Sequence, residues 1–149
     1  MKNPKRVMPY KILKITSFYK QFLDQIYNNN KTLKNLTYQE QYLFLMGHKY
    51  AWSDFFKKHI EPLGAEIYEI IHNADHLQNS WQLEFGNNLK NNILFNQINY
   101  YKPEILFFQD IKSFSGASIK HLRESFPFIK LIFGHSCSPY SKLAIENYM

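Results

Sequence analysis

Four consecutive apolar residues, Ile105-Leu106-Phe107-Phe108, stand between Pro103-Glu104 and Gln109-Asp110. A run this short, opened by a proline and closed by polar residues, reads as a strand buried on both faces, and such strands belong to parallel sheets covered by helices. Three other segments have the same character: Tyr10 to Thr16, Ala65 to Ile71 and Phe128 to Gly134. The first opens the fold and is expected at the centre of the sheet. The second is expected to be shorter and nearer an edge.

Helical periodicity fills the intervals. Ser17 is the expected N-cap of a helix carrying Tyr19, Phe22, Leu23, Ile26 and Tyr27, which the run Asn28-Asn29-Asn30 stops. Thr37-x-x-Glu40 has the capping-box spacing and precedes an apolar stripe that ends at Gly47. Ser53-Asp54 opens a third helix with Phe56, Ile60 and Leu63 on one face and Gly64 as its C′ residue. Asp75 is placed to cap a helix through Leu77, Trp81 and Phe85, ended by Gly86, and a further helix over 89–101 stops before Pro103. Residues 115–125 give the last helix. Strands alternating with helices imply parallel pairing, so the class is α/β, Rossmann-like, with a mostly parallel four-stranded sheet and a helical insertion between strands 1 and 2.

The 149 residues fit one domain. Residues 1–9 read as a disordered lead-in and 10–149 as a single Rossmann-like domain that looks incomplete at its C-terminus, because such sheets usually carry five or six strands. The net charge of +6 is confined to one end: six cations and no acid lie within the first 20 residues, which leaves 12 against 12 in the rest. With only Arg6 and Arg123 among the 18 basic residues, no specific nucleic-acid partner is expected. A single cysteine and the lack of a long apolar run point to a reducing, cytoplasmic location without a transmembrane segment.

In an open parallel sheet, ligands sit beyond the carboxyl ends of the strands where strand order reverses. The loops there bring Ser17 after strand 1, Gln109, Asp110, Ser113 and Ser115 after strand 3, and His135-Ser136-Cys137 after strand 4. Asp110 can act as a general base or as the cap of the following turn, and His135 can position a hydroxylated ligand or bond a neighbouring carbonyl. Cys137 beside His135 is open to a nucleophilic role, although a small packing residue is the expected one. The histidines share no metal-ligand spacing, and the five glycines never cluster, so neither a metal site nor dinucleotide or P-loop chemistry is expected. Trp52 and Trp81 can stack on sugars but lie in helical patterns and are expected in the core.

Several stretches carry a family resemblance: Trp52-Ser53-Asp54-Phe55, Leu63-Gly64-Ala65-Glu66, Ile70-Ile71-His72-Asn73-Ala74 with Leu77-Gln78 and Trp81, Pro103 to Asp110, and Lys130-Leu131-Ile132 running into Cys137-Ser138-Pro139. In their order the chain resembles the N-terminal domain of GT-B-type glycosyltransferases of the CgeB-like group, often labelled glycosyltransferase family 1. The resemblance implies two Rossmann-like domains facing a cleft, the first binding the acceptor and the second the nucleotide-sugar donor. This chain corresponds to the first, and Glu146-Asn147-Tyr148 is where relatives enter a further strand. The activity so implied is metal-independent transfer of a hexose from a nucleotide sugar to a hydroxyl acceptor. Asp110 would be the catalytic group, with Ser17, Gln109, His135 and Ser136 binding the acceptor. No cofactor is expected in this chain itself: the donor would sit on a C-terminal domain or partner chain, without which the chain would be inactive. The other readings are a non-catalytic α/β binding module and an inactive truncated fragment. A receiver module is disfavoured, since Ile15-Thr16-Ser17 supplies no acidic cluster for Mg²⁺.

Overall fold

The computed structural model describes residues 10–86 and 92–136. Along the chain run β1 (Lys11–Thr16), α1 (Lys20–Asn29), α2 (Tyr38–Gly47), α3 (Phe55–Ile60), β2 (Glu66–Ile71), α4 (Asp75–Phe85), α5 (Ile93–Tyr101), β3 (Ile105–Phe108), α6 (Gly116–Ser125) and β4 (Leu131–Gly134). The four strands form one sheet in the order β2-β1-β3-β4, and every pairing is parallel. This is the expected Rossmann-like α/β architecture, with β1 inside the sheet and three helices between β1 and β2. Among the described residues, no helix is long and apolar enough to cross a membrane.

The period-two alternation of β1 sends Leu13 and Ile15 to one face, where they pack with Ile70, Leu106, Phe108 and Ile132 beneath Ile98 of α5 and Ile119 and Leu122 of α6. The opposite face carries Ile12 and Ile67, covered by Phe56 and Ile60 of α3. A third cluster, built on Leu23, Leu45, Met46, Leu77 and Trp81, joins α1 and α2 of the insertion to α4.

Lys14 also points to the α3 face, in register with Glu69. The two side chains are only 2% and 0% exposed, with Nζ and Oε1 3.2 Å apart. Burial pushes the Lys14 ammonium down and the Glu69 carboxyl up, and each partner's charge opposes the shift. The Lys14 Nζ donates a second hydrogen bond to the Ser53 carbonyl at 2.7 Å, so the pair ties the insertion to the sheet.

Several boundaries differ from expectation for local reasons. The capping box at Thr37 and Glu40 forms as read, with the threonine hydroxyl and the glutamate side chain satisfying each other's backbone N–H groups. Ser17, in contrast, does not cap α1, which begins at Lys20 directly after the extended backbone of Tyr19 and has no side-chain cap. Asp75 lies inside the first turn of α4, after Ala74. β2 is an edge strand as expected but has six residues, as many as β1. β4 starts at Leu131 because Phe128 to Lys130 are still leaving α6, with the Ile129 N–H bonded to Phe126 O. Gly64 takes φ 99°, the left-handed conformation that ends this helical stretch. Cys137, the Glu146-Asn147-Tyr148 segment, residues 1–9 and residues 87–91 lie outside the described residues.

Candidate functional site

Strand order puts β2 on one side of β1 and β3 on the other, so the connections that leave β1 and β3 diverge and open a crevice at their carboxyl ends. A cleft of about 490 Å³ lies there. Ser17, Gln109, Asp110, His135 and Ser136, the five residues singled out in the sequence, all line it, together with Tyr19, Tyr50, Ala51, Trp52 and Lys112. Ladder bonds fix these loops relative to one another: the Gln109 N–H donates to Ile15 O, the His135 N–H to Phe108 O, both at 2.9 Å, and the Ile111 N–H to His135 O.

One wall comes from the insertion, which sequence periodicity assigns to helix. Lys49, Ala51, Trp52 and Ser53 instead have positive φ (54°, 48°, 64° and 27°). For residues with a Cβ each such conformation costs on the order of 1–3 kcal/mol and persists only where surroundings impose it. The surroundings here are specific. Lys14 holds Ser53 O, the Ser53 hydroxyl donates to Tyr50 O at 2.8 Å, and Gln109 Nε2 donates to Ala51 O at 2.5 Å. The Tyr50 ring stacks on Phe22 with centroids 4.2 Å apart. Held this way, Trp52 is 56% exposed, its ring centroid 5.5 Å from that of His135. The expectation of a core tryptophan is therefore corrected for Trp52, because the strained turn rotates it off the helical face. It holds for Trp81, which is buried.

Asp110 performs the capping role: Oδ1 accepts from the Lys112 N–H at 3.1 Å and Oδ2 from the Ser113 hydroxyl at 2.8 Å. It still borders the cleft. The Ser113 Oγ lies 3.3 Å from Ser17 Oγ, which lies 2.8 Å from Nε2 of His72. His72 follows β2 directly and its ring packs 4.8 Å from Phe114. It is not among the site residues expected from the sequence, where no histidine has metal-ligand spacing. The strand-end rule that selected Ser17, Asp110 and His135 applies to the end of β2 as well and would have found it. Among the described residues, no group of three or more His, Cys, Asp or Glu is placed to hold a metal ion.

Burial holds the His72 imidazole below its ordinary pKa of 6.5, with Asp110 acting in the opposite sense. A base whose folded pKa is lowered leaves the unfolded chain binding more protons, so its contribution is fully favourable above 6.5 and is lost as pH falls below it. Thermal melts from about pH 8 to about pH 5 are expected to show falling stability on the acid side, and His72→Gln to flatten that limb. An identical acid limb in the variant would assign the loss to other groups.

No family model, no curated protein and no solved structure matches this chain.

Proposed function

We propose that the cleft binds a hydroxylated acceptor and that the chain is the acceptor-side half of a GT-B-type glycosyltransferase, which moves a hexose from a nucleotide sugar to a hydroxyl. A second α/β domain or a partner chain would hold the donor. The observation that carries the reading is the pairing of an exposed indole, Trp52, with a carboxylate, an amide and an imidazole in one cleft at the switch point. Aromatic faces stack against the apolar C–H faces of a sugar ring, while Asp110, Gln109, His135 and the hydroxyls of Ser17 and Ser136 suit its equatorial hydroxyls. In the transfer step Asp110 would take the proton of the acceptor hydroxyl as its oxygen bonds to the anomeric carbon and the bond to the nucleoside diphosphate breaks.

Titration of isotope-labelled protein with a panel of mono- and oligosaccharides is expected to find ligands that shift the Trp52 and His135 NMR signals. Trp52→Ala should weaken them by about tenfold, which is about 1.4 kcal/mol. A panel that leaves both signals unmoved defeats the reading. Asp110→Asn should leave binding within a few-fold yet lower transfer by roughly 10²–10⁴ in a polypeptide carrying both halves. One observation favours a second reading, a non-catalytic binding module: both Asp110 oxygens already accept hydrogen bonds from the turn they cap. Unchanged transfer in Asp110→Asn would remove the catalytic role of Asp110, and sugar binding without any transfer in a polypeptide carrying both halves would select the binding module.

A further inference from the structure

Asp110 and His72 sit on different loops and make no direct hydrogen bond, yet two hydroxyls bridge them. From the carboxylate outward the contacts are Asp110 Oδ2 to Ser113 Oγ at 2.8 Å, Ser113 Oγ to Ser17 Oγ at 3.3 Å, and Ser17 Oγ to His72 Nε2 at 2.8 Å. Asp110 and Ser17 line the cleft, whereas His72 lines a neighbouring cavity of about 540 Å³ together with Asp75, Gln78 and Gln97. The chain of contacts thus runs through the partition between two cavities.

Counting hydrogens decides how it is polarised. An ionised carboxylate only accepts, so the single hydrogen of Ser113 is committed to Asp110. The 3.3 Å contact between the serines can then be bonded only if Ser17 spends its own single hydrogen on Ser113. In that arrangement Ser17 must accept from His72, which requires the hydrogen on Nε2. If Nε2 is bare, Ser17 donates to it and nothing joins the two serines. Of the two arrangements, the first makes three bonds and the second two. The first also directs every donor toward the carboxylate, and charge-assisted bonds are the stronger ones.

We infer that His72 is a positioning residue that acts on Asp110 through Ser17 and Ser113, orienting the carboxylate that faces the cleft. It rests on the proposed function only in the use to which Asp110 is put; the relay itself is a property of the free protein. The acidic groups around the imidazole are Asp110 through the relay and Asp75 on the wall of the same cavity, and the Asp110 charge favours the protonated ring.

The tautomer is measurable. In protein labelled with ¹⁵N-histidine, long-range ¹H–¹⁵N correlation at pH 7.5 is expected to show neutral His72 predominantly protonated on Nε2, its signals assigned by their loss in His72→Gln. Ser113→Ala leaves the Ser17 hydroxyl without its acceptor, so it turns to Nε2 and His72 becomes predominantly Nδ1-protonated, although Ser113 makes no contact with the ring. Ser113→Thr keeps the hydroxyl and should retain the wild-type tautomer. Should Ser113→Ala fail to fold, Ser113→Gly is the alternative and should give the same switch to Nδ1. Wild-type His72 that is Nδ1-protonated or cationic, or a tautomer indifferent to Ser113→Ala in a folded spectrum, overturns the relay. Saccharide binding is scored separately: an Nε2-protonated ring without any bound sugar keeps the relay and removes the acceptor reading, and the converse result does the reverse.

Discussion

Lys14→Met is expected to destabilise the protein by about 3–5 kcal/mol, the cost of leaving a buried carboxylate without its cation. Glu69 is fully buried, and its Oε2 has no hydrogen-bond partner among the described residues. Its other oxygen keeps only the Lys57 N–H at 3.3 Å once the ammonium is gone. The double variant Lys14→Met/Glu69→Leu should recover most of the loss, since two apolar side chains of similar volume need no desolvated charges. Urea denaturation reads both. A single variant within about 0.5 kcal/mol of wild type would show that the buried carboxylate does not depend on its cation. The double variant carries a second expectation: it restores the sheet but not the bond from Lys14 to Ser53 O, so the strained turn at 49–53 loses an anchor. Its Trp52 signals should broaden or move while the core stays folded.

The two tryptophans give the second large effect. Trp81→Ala should cost about 3–5 kcal/mol, the range for a large aromatic removed from a core. Trp81 is 1% exposed, packs among Leu45, Met46 and Leu77, and donates from Nε1 to the Tyr101 hydroxyl at 3.2 Å. Truncation therefore leaves a cavity between the insertion and α4 and takes one hydrogen bond from the Tyr101 hydroxyl. Trp52→Ala removes a side chain that is mostly in solvent and should leave the denaturation midpoint nearly unchanged while weakening sugar binding. Equal stability losses in the two variants would contradict the burial difference on which the site assignment rests.

The contrast between these residues shows why part of the site was legible and part was not. Ser17, Gln109, Asp110, His135 and Ser136 were recoverable because each follows the end of an apolar run, and a parallel sheet sends all such ends to the same side. His72 satisfies the same condition, since it directly follows the apolar end of β2. Trp52 could not be placed by periodicity, because its neighbours carry positive φ that a helical pattern does not anticipate. That backbone is held by Lys14 and Gln109, 39 and 58 residues away from the carbonyls they bind. Lys14 itself offered no warning: a lysine in an apolar strand reads as a solvent-facing interruption until its partner on the next strand is known.

What the residue order determined by itself was local and periodic. The four apolar runs, the capping box at Thr37 and the breaks at Gly64, Gly86 and Pro103 depend on neighbours a few positions apart, and with them came the α/β class and the central place of the first strand. Tertiary structure alone decided the rest: the burial of Lys14 against Glu69, the strained turn that swings Trp52 into the cleft, and the chain of hydroxyls between Asp110 and His72. Each of these is a contact between segments far apart in sequence, and its energy depends on a desolvated geometry that forms only once the sheet has brought those segments together.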